Sequence, residues 1–268
     1  KHTHQKDKSY DNIILHVVYE ADLPIYRTSG EPIPTLELKQ RIDAVYYQNY
    51  QQFKLSKDWV PCEQQIGQVP AIVFHTAMNR LLIERLEEKF NEVMKTLHLN
   101  KMNWEETFYQ LLAKNFGFKT NAVPFELLAK STPSIVLGKH KSSLLQLEAL
   151  LFGQAGFLEQ HFNDRYPQQL QNEYVFLKQK FKLSPVDNHL WKFLRLRPGN
   201  FPTIRIAQFA QLIYQSTHLF SKIITAEELT ELKKLLDTNV STYWNTHYVF
   251  EKSGRASNKR LGVDSIDN

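Results

Sequence analysis

The segment Ile13-Ile14-Leu15-His16-Val17-Val18-Tyr19 constrains the fold of this chain more than any other. It is an almost unbroken apolar run rich in β-branched residues, the pattern of a strand covered on both faces. Such a strand needs neighbours on both sides. Most of the chain after residue 40 has the period of helices instead. The sequence opens at Lys1 without an initiator Met and stops at Ser265-Ile266-Asp267-Asn268 without a closing element. The expectation is therefore a fragment. Residues 1–40 would be the remnant of a larger α/β sheet domain and residues 41–268 a helical domain. The expected fold class is α+β, mainly α: a partial sheet with a hairpin, then a multi-helix array.

The hairpin is read from Ile25-Tyr26-Arg27, the turn-forming Thr28-Ser29-Gly30-Glu31, and the arm Pro32-Ile33-Pro34-Thr35-Leu36-Glu37-Leu38. Its two prolines mark the second arm as an edge or irregular extension. Beyond Lys39 the period moves from two toward 3.6. Ile42, Val45 and Tyr46 open a short helix, and Trp59 to Gly67 reads as a loop. Asn79, Leu82, Ile83, Leu86, Phe90, Val93 and Leu97 fall on one face of a long helix starting near Pro70. Trp104, Phe108, Leu111 and Leu112 mark the next, stopped at Gly117. A short helix from Phe125 to Ala129 follows Pro124, and Leu144 to Phe152 forms another, ended around Gly153 to Gly156. Leu170, Tyr174, Leu177 and Phe181 repeat at helical spacing, as do Ile206, Phe209, Ala210 and Ile213 after Pro202. Thr225-Ala226-Glu227-Glu228 has the form of a capping box ahead of Leu229, Leu232 and Leu236.

Aromatic residues make up 12% of the chain, which argues against disorder. No apolar run approaches the roughly 18 residues of a membrane helix, so no membrane association is expected. Cys62 is the only cysteine, which leaves no internal disulfide and makes the cytoplasm the default location. The net charge of +5 permits a nucleic-acid or acidic partner without requiring one.

Several residue groups carry candidate chemistry. His2 and His4 point to one side of an extended backbone, and Asp7 can fold back as a third metal ligand. The competing reading is a polar, frayed terminus. His16, inside the apolar strand, reads as a core histidine donating to a carbonyl. Arg195, Arg197 and Arg205 flank Pro198-Gly199-Asn200-Phe201-Pro202, where they could clamp a phosphate at a helix start or fix an interhelical turn. Gly254 to Gly262 is a basic loop whose Lys259 and Arg260 could touch phosphates, although it lacks the Gly-Lys-Ser/Thr ending of a P-loop. It and Lys139-His140-Lys141 read equally as solvated loops. Gly-x-Ser-x-Gly is absent and Cys62 has no nucleophile context, so nothing supports a serine or cysteine hydrolase.

The chain resembles one uncharacterised bacterial family, that of domain of unknown function 2851. The resemblance rests on His2-x-His4-x-x-Asp7, Tyr10-Asp11-Asn12-x-Ile14-Leu15-His16-Val17-Val18 and Pro34-Thr35-Leu36-Glu37-Leu38. It continues in Glu106-Thr107-Phe108-Tyr109, Leu112 to Phe118, and Glu148 to Gly156. It ends in Arg195-Leu196-Arg197-Pro198, Asn200 to Gln208, Tyr243-Trp244 and His247-Tyr248. It implies no activity by itself. It does imply a parent extending upstream of Lys1 with Gly-Pro-Asp-Phe and Glu-Ile-His strings. Their order is similar to the core of restriction-endonuclease-like nucleases, where carboxylates hold Mg²⁺ or Mn²⁺. A His in place of the usual Lys departs from that pattern.

On that resemblance the fragment would lack the catalytic carboxylates and be inactive, and any divalent metal would belong to the intact parent. The favoured expectation is a nucleic-acid-associated module of a nuclease-like protein, partnered by DNA or RNA. The alternative is a non-catalytic helical scaffold or protein-interaction domain. The first requires Arg195, Arg197, Arg205, Lys259 and Arg260 to share one exposed face. The second expects them dispersed or paired.

Overall fold

A computed structural model describes residues 13–254, 259 and 261. The chain divides into two compact units, Lys1–Glu84 and Arg85–Asn268.

In the first unit, β1 (His16–Val18) and β2 (Thr35–Glu37) pair in parallel, with Val17 opposite Leu36. The turn expected between them exists as a small antiparallel excursion. Tyr26 bridges to Pro32, the Arg27 N–H donates to the Glu31 carbonyl at 2.8 Å, and Gly30 takes the positive φ the turn needs. The arm after the turn therefore returns to β1 as a parallel neighbour, so β1 and β2 are not two arms of one hairpin. The expectation of a strand covered on both faces is not met among the described residues. Ile14 is 86% exposed, and Leu15 and Val17 are exposed as well. A two-stranded ribbon cannot cover its own faces. His16 is half-buried, with Nδ1 3.4 Å from the Thr35 hydroxyl, rather than a core histidine on a carbonyl.

Helix α1 (Ala44–Leu55) starts at Asp43, whose carboxylate accepts the Val45 N–H at 2.9 Å. Its Tyr47 stacks on Tyr19 at 4.3 Å. A single helical turn, α2 (Glu63–Ile66), sits in the stretch expected to be loop. Then α3 (Ala71–Leu99) begins one residue after Pro70, as its spacing predicts. The division between the units falls inside it. Among the described residues 13–84, Ile33 alone is buried.

The second unit is helical. It contains α4 (Trp104–Phe116), α5 (Phe118–Ser131), α6 (Ser134–Lys139), α7 (Leu144–Gln154) and α8 (Arg165–Phe181). After these come α9 (Pro202–Gln215), α10 (Leu219–Thr225), α11 (Leu229–Leu236) and α12 (Thr242–Thr246), then the short antiparallel pair β3 (His247–Val249) and β4 (Lys252–Ser253). Helix α5 starts well before the expected Phe125. It holds Pro124 because Asn121 leaves helical geometry (φ −118°, ψ 20°), so the missing proline N–H falls at a kink. The Asn121 side chain anchors that kink by accepting the Lys192 N–H at 2.9 Å and donating to the Lys192 carbonyl at 3.0 Å. The expected capping box at Thr225 does not form. Thr225 closes α10, its hydroxyl donating to the Ser221 carbonyl at 3.0 Å, and Glu228 precedes α11 without a side-chain cap.

Helices α7 and α9 are the centre of this unit. Leu147 to Gln154 are all buried, as are Pro202 to Ala210, so both helices are covered on every side. Gly153 lets α8 come close: a Cβ there would lie 2.2 Å from the Tyr174 ring. Gly156, just past the end of α7, takes a positive φ. Phe152, Phe162, Phe209, Phe125 and Trp244 fill the interior, with Trp244 stacked on Phe152 at 5.0 Å. Among the described residues, no helix is long and apolar enough to cross a membrane.

Candidate functional site

A polar cluster lies inside this apolar packing where α7, α8 and α12 meet. Glu148 stands in the run Leu147-Glu148-Ala149-Leu150-Leu151, so the same turns that bury α7 bury its carboxyl group, which is 1% exposed. Its Oε2 accepts from the Tyr166 hydroxyl, while Oε1 has no hydrogen-bond partner among the described residues. The Tyr166 hydroxyl also lies 3.3 Å from Ser241 Oγ. Burial pushes the Glu148 carboxyl up to about 7 against the opposing pull of Tyr166 and Ser241. Burial, reinforced by Glu148, raises Tyr166 far above the usual phenol range.

Beside them Tyr243 stacks between Tyr166 at 4.5 Å and His247 at 3.9 Å. The Tyr243 hydroxyl donates to Asp164 Oδ2 at 3.1 Å and accepts the Glu251 N–H at 3.0 Å. This arrangement can hold a proton near neutrality. Glu148 is enclosed by α7, α8 and α12, and the bonds of Tyr166 to Glu148 and of Tyr243 to Asp164 tie these segments together.

The expected basic residues separate into two environments. Arg195 (φ 62°) and Arg197 are exposed on the connection before α9 and form no ion pair among the described residues. Arg205 is buried. Its Nη1 donates to Gln208 Oε1 at 3.0 Å and its Nη2 to Asn200 Oδ1 at 2.7 Å. The guanidinium lies 4.3 Å from the centre of the Phe118 ring. Burial lowers the Arg205 pKa to about 10. Lys259 is buried too, with Nζ donating to the carbonyls of Trp244 and, at 2.7 Å, His247, over the Tyr248 ring at 3.8 Å. Burial lowers its pKa. The Gln208 side chain donates to the Lys259 carbonyl at 2.8 Å. Two of the five expected phosphate contacts are therefore interior cations held by neutral partners. Arg260, His2, His4 and Asp7 lie outside the described residues.

Of the other candidates, His140 in Lys139-His140-Lys141 is buried, its Nδ1 2.7 Å from Gln146 Oε1, and Cys62 is exposed. No group of three or more His, Cys, Asp or Glu that could hold a metal occurs among the described residues. Sequence reasoning passed over Glu148, Tyr166 and Ser241. The available signal was a lone carboxylate inside a helical apolar run, where a charge is costly unless it is bonded or neutralised.

The family model described as protein of unknown function (DUF2851) matches residues 1–268. No curated protein and no solved structure matches the chain.

Proposed function

The chain belongs to that DUF2851 family, which assigns it no activity, and we propose that it is a helical protein-interaction domain. One observation carries this reading. In residues 13–84 most of the large apolar side chains are exposed, among them Ile14, Val17, Trp59, Ile72, Phe74 and Leu82, while Ile33 alone is buried. Apolar surface on that scale marks a site that another surface covers. The sheet indicates what kind of partner. β1 and β2 pair only with each other among the described residues, so open strand edges lie beside the exposed Ile14, Leu15 and Val17. A polypeptide that adds a strand satisfies both at once.

Sedimentation velocity over a range of concentrations, together with binding of an apolar fluorescent dye, tests this reading. A chain that self-associates, or stays monomeric and binds the dye through residues 13–84, supports it. Charged replacements at Phe74 and Leu82 should then abolish association or cut the dye signal. A monomer that excludes the dye overturns it.

A second reading, association with DNA or RNA, is supported by exposed Arg195 and Arg197 and by the net charge of +5. Electrostatic binding of this kind weakens steeply with salt. Gel shift of duplex and single strand at low ionic strength, with the double replacement Arg195→Ala and Arg197→Ala, tests it. Absence of a shift in the parent chain ends it. A nuclease role, expected only from the family resemblance, would be tested by Mg²⁺- or Mn²⁺-dependent cleavage in a chain carrying the upstream strings that resemblance implies.

A further inference from the structure

A cavity of about 570 Å³ opens in the helical unit beside the junction of α4 and α5, with Arg205 of α9 in its wall. That volume lies within the range of small-molecule sites. Leu112, Phe116, Phe118 and Leu236 supply its apolar surface. Its charged lining is Lys89, Lys114, Lys119 and Arg205 against a single carboxylate, Glu92. Lys114 is matched by Glu92 at 2.6 Å and Glu126 at 3.4 Å, and Lys89 by Glu92 at 3.3 Å. Arg205 and Lys119 have no ion pair among the described residues.

Arg205 is the unusual member. It is 4% exposed, and among the described residues its hydrogen-bond partners are the neutral side chains of Gln208 and Asn200. Its Nε is buried, with no hydrogen-bond partner among the described residues. A guanidinium keeps its charge at neutral pH, and a buried charge without a counter-ion is costly. The Phe118 ring that covers it belongs to a residue with φ 48°, a backbone conformation that non-glycine side chains adopt at a cost. A buried cation with no ion pair among the described residues and an aromatic at positive φ thus border one cavity whose wall is part apolar and part cationic.

We propose that this cavity binds a small organic anion, a carboxylate or phosphate ester on an aromatic or apolar body. The anionic head meets Arg205 and Lys119, and the body lies against Phe118, Phe116 and Leu112. The site lies wholly within the helical unit and goes beyond the interaction reading above.

Calorimetric titration of the full chain with 2-naphthoate, 2-naphthyl phosphate and the neutral methyl ester of 2-naphthoate tests the proposal. Saturable binding of at least one anion is expected, about tenfold or more tighter than the ester, because a charge-assisted bond to Arg205 distinguishes them. The tighter anion identifies the head group. Ala122→Phe, on a half-buried wall position, adds bulk to the cavity while keeping the Arg205 guanidinium and should weaken binding by a similar factor. Arg205→Gln should remove the preference for the anion. Circular dichroism checks that both variants fold, and Ala122→Phe carries the test if Arg205→Gln does not. The naphthyl body could also stick to the exposed apolar residues of the N-terminal unit, but such binding is indifferent to Ala122→Phe. No saturable binding, equal affinity for the ester, or anion binding unchanged in folded Ala122→Phe overturns the proposal.

Discussion

The N-terminal and helical units are both rich in large apolar residues, but only one of them buries what it has. In the helical unit α7 and α9 are enclosed on every side, and Phe152, Phe209 and Trp244 are fully buried. In residues 13–84 a comparable supply of Ile, Leu, Val, Phe and Tyr encloses only Ile33. The comparison teaches that apolar content measures how much surface a chain could bury. Whether it is buried depends on the elements that pack over it. A two-stranded ribbon and amphipathic helices without a facing layer leave that surface open.

Stability measurements should reproduce this contrast. Trp244→Ala removes a fully buried indole stacked on Phe152 and should cost about 3–5 kcal/mol in chemical denaturation. Leu82→Ala and Phe74→Ala, both exposed, should each stay within about 0.5 kcal/mol. Equal losses in the two units would break the comparison.

A pH series sharpens it from the side of the polar cluster. Glu148 titrates near 7 in the folded chain against an ordinary 4.5, so folding favours its protonated form. The stability linked to it is complete below about pH 4.5 and is lost as the pH rises through about 7, a fall of about 3 kcal/mol. Glu148→Gln should flatten that fall and leave the variant relatively more stable at pH 8. An unchanged slope would remove Glu148 from the interior.

A somewhat smaller effect is expected at the α7–α8 contact. Gly153→Ala places a methyl group 2.2 Å from the Tyr174 ring, and relieving the clash should cost about 1–3 kcal/mol, read as a lowered Tm. A neutral result would mean that α8 can move away freely.

The helices with long regular stripes were legible in the sequence. α3, α4, α7, α8 and α9 lie where their periods place them, because a 3.6-residue stripe needs only a surface to face. The partners of short segments were less legible. The turn at Gly30 was readable, but its sequence does not say whether the returning arm lies parallel or antiparallel to β1. Pro124 suggested a helix start, and only the Asn121–Lys192 pairing, made across a long stretch of chain, shows why the helix continues through it. At the site, composition marked Arg205 and Lys119 as charges but could not show which cations keep a carboxylate. Lys114 and Arg205 look alike in sequence, yet one is paired with Glu92 and the other is held by Gln208 and Asn200. Glu148 was visible as a lone charge in an apolar run, but its bond to Tyr166 depends on the fold.

Hydrogen exchange read by mass spectrometry on the dilute monomer most directly tests whether residues 13–84 stand uncovered. Amides of Ala71 to Glu84 should exchange at close to the rate of an unprotected helix and gain protection when association covers them, while those of α9 stay protected throughout. Protection of residues 71–84 equal to that of α9 in the dilute monomer would contradict the account.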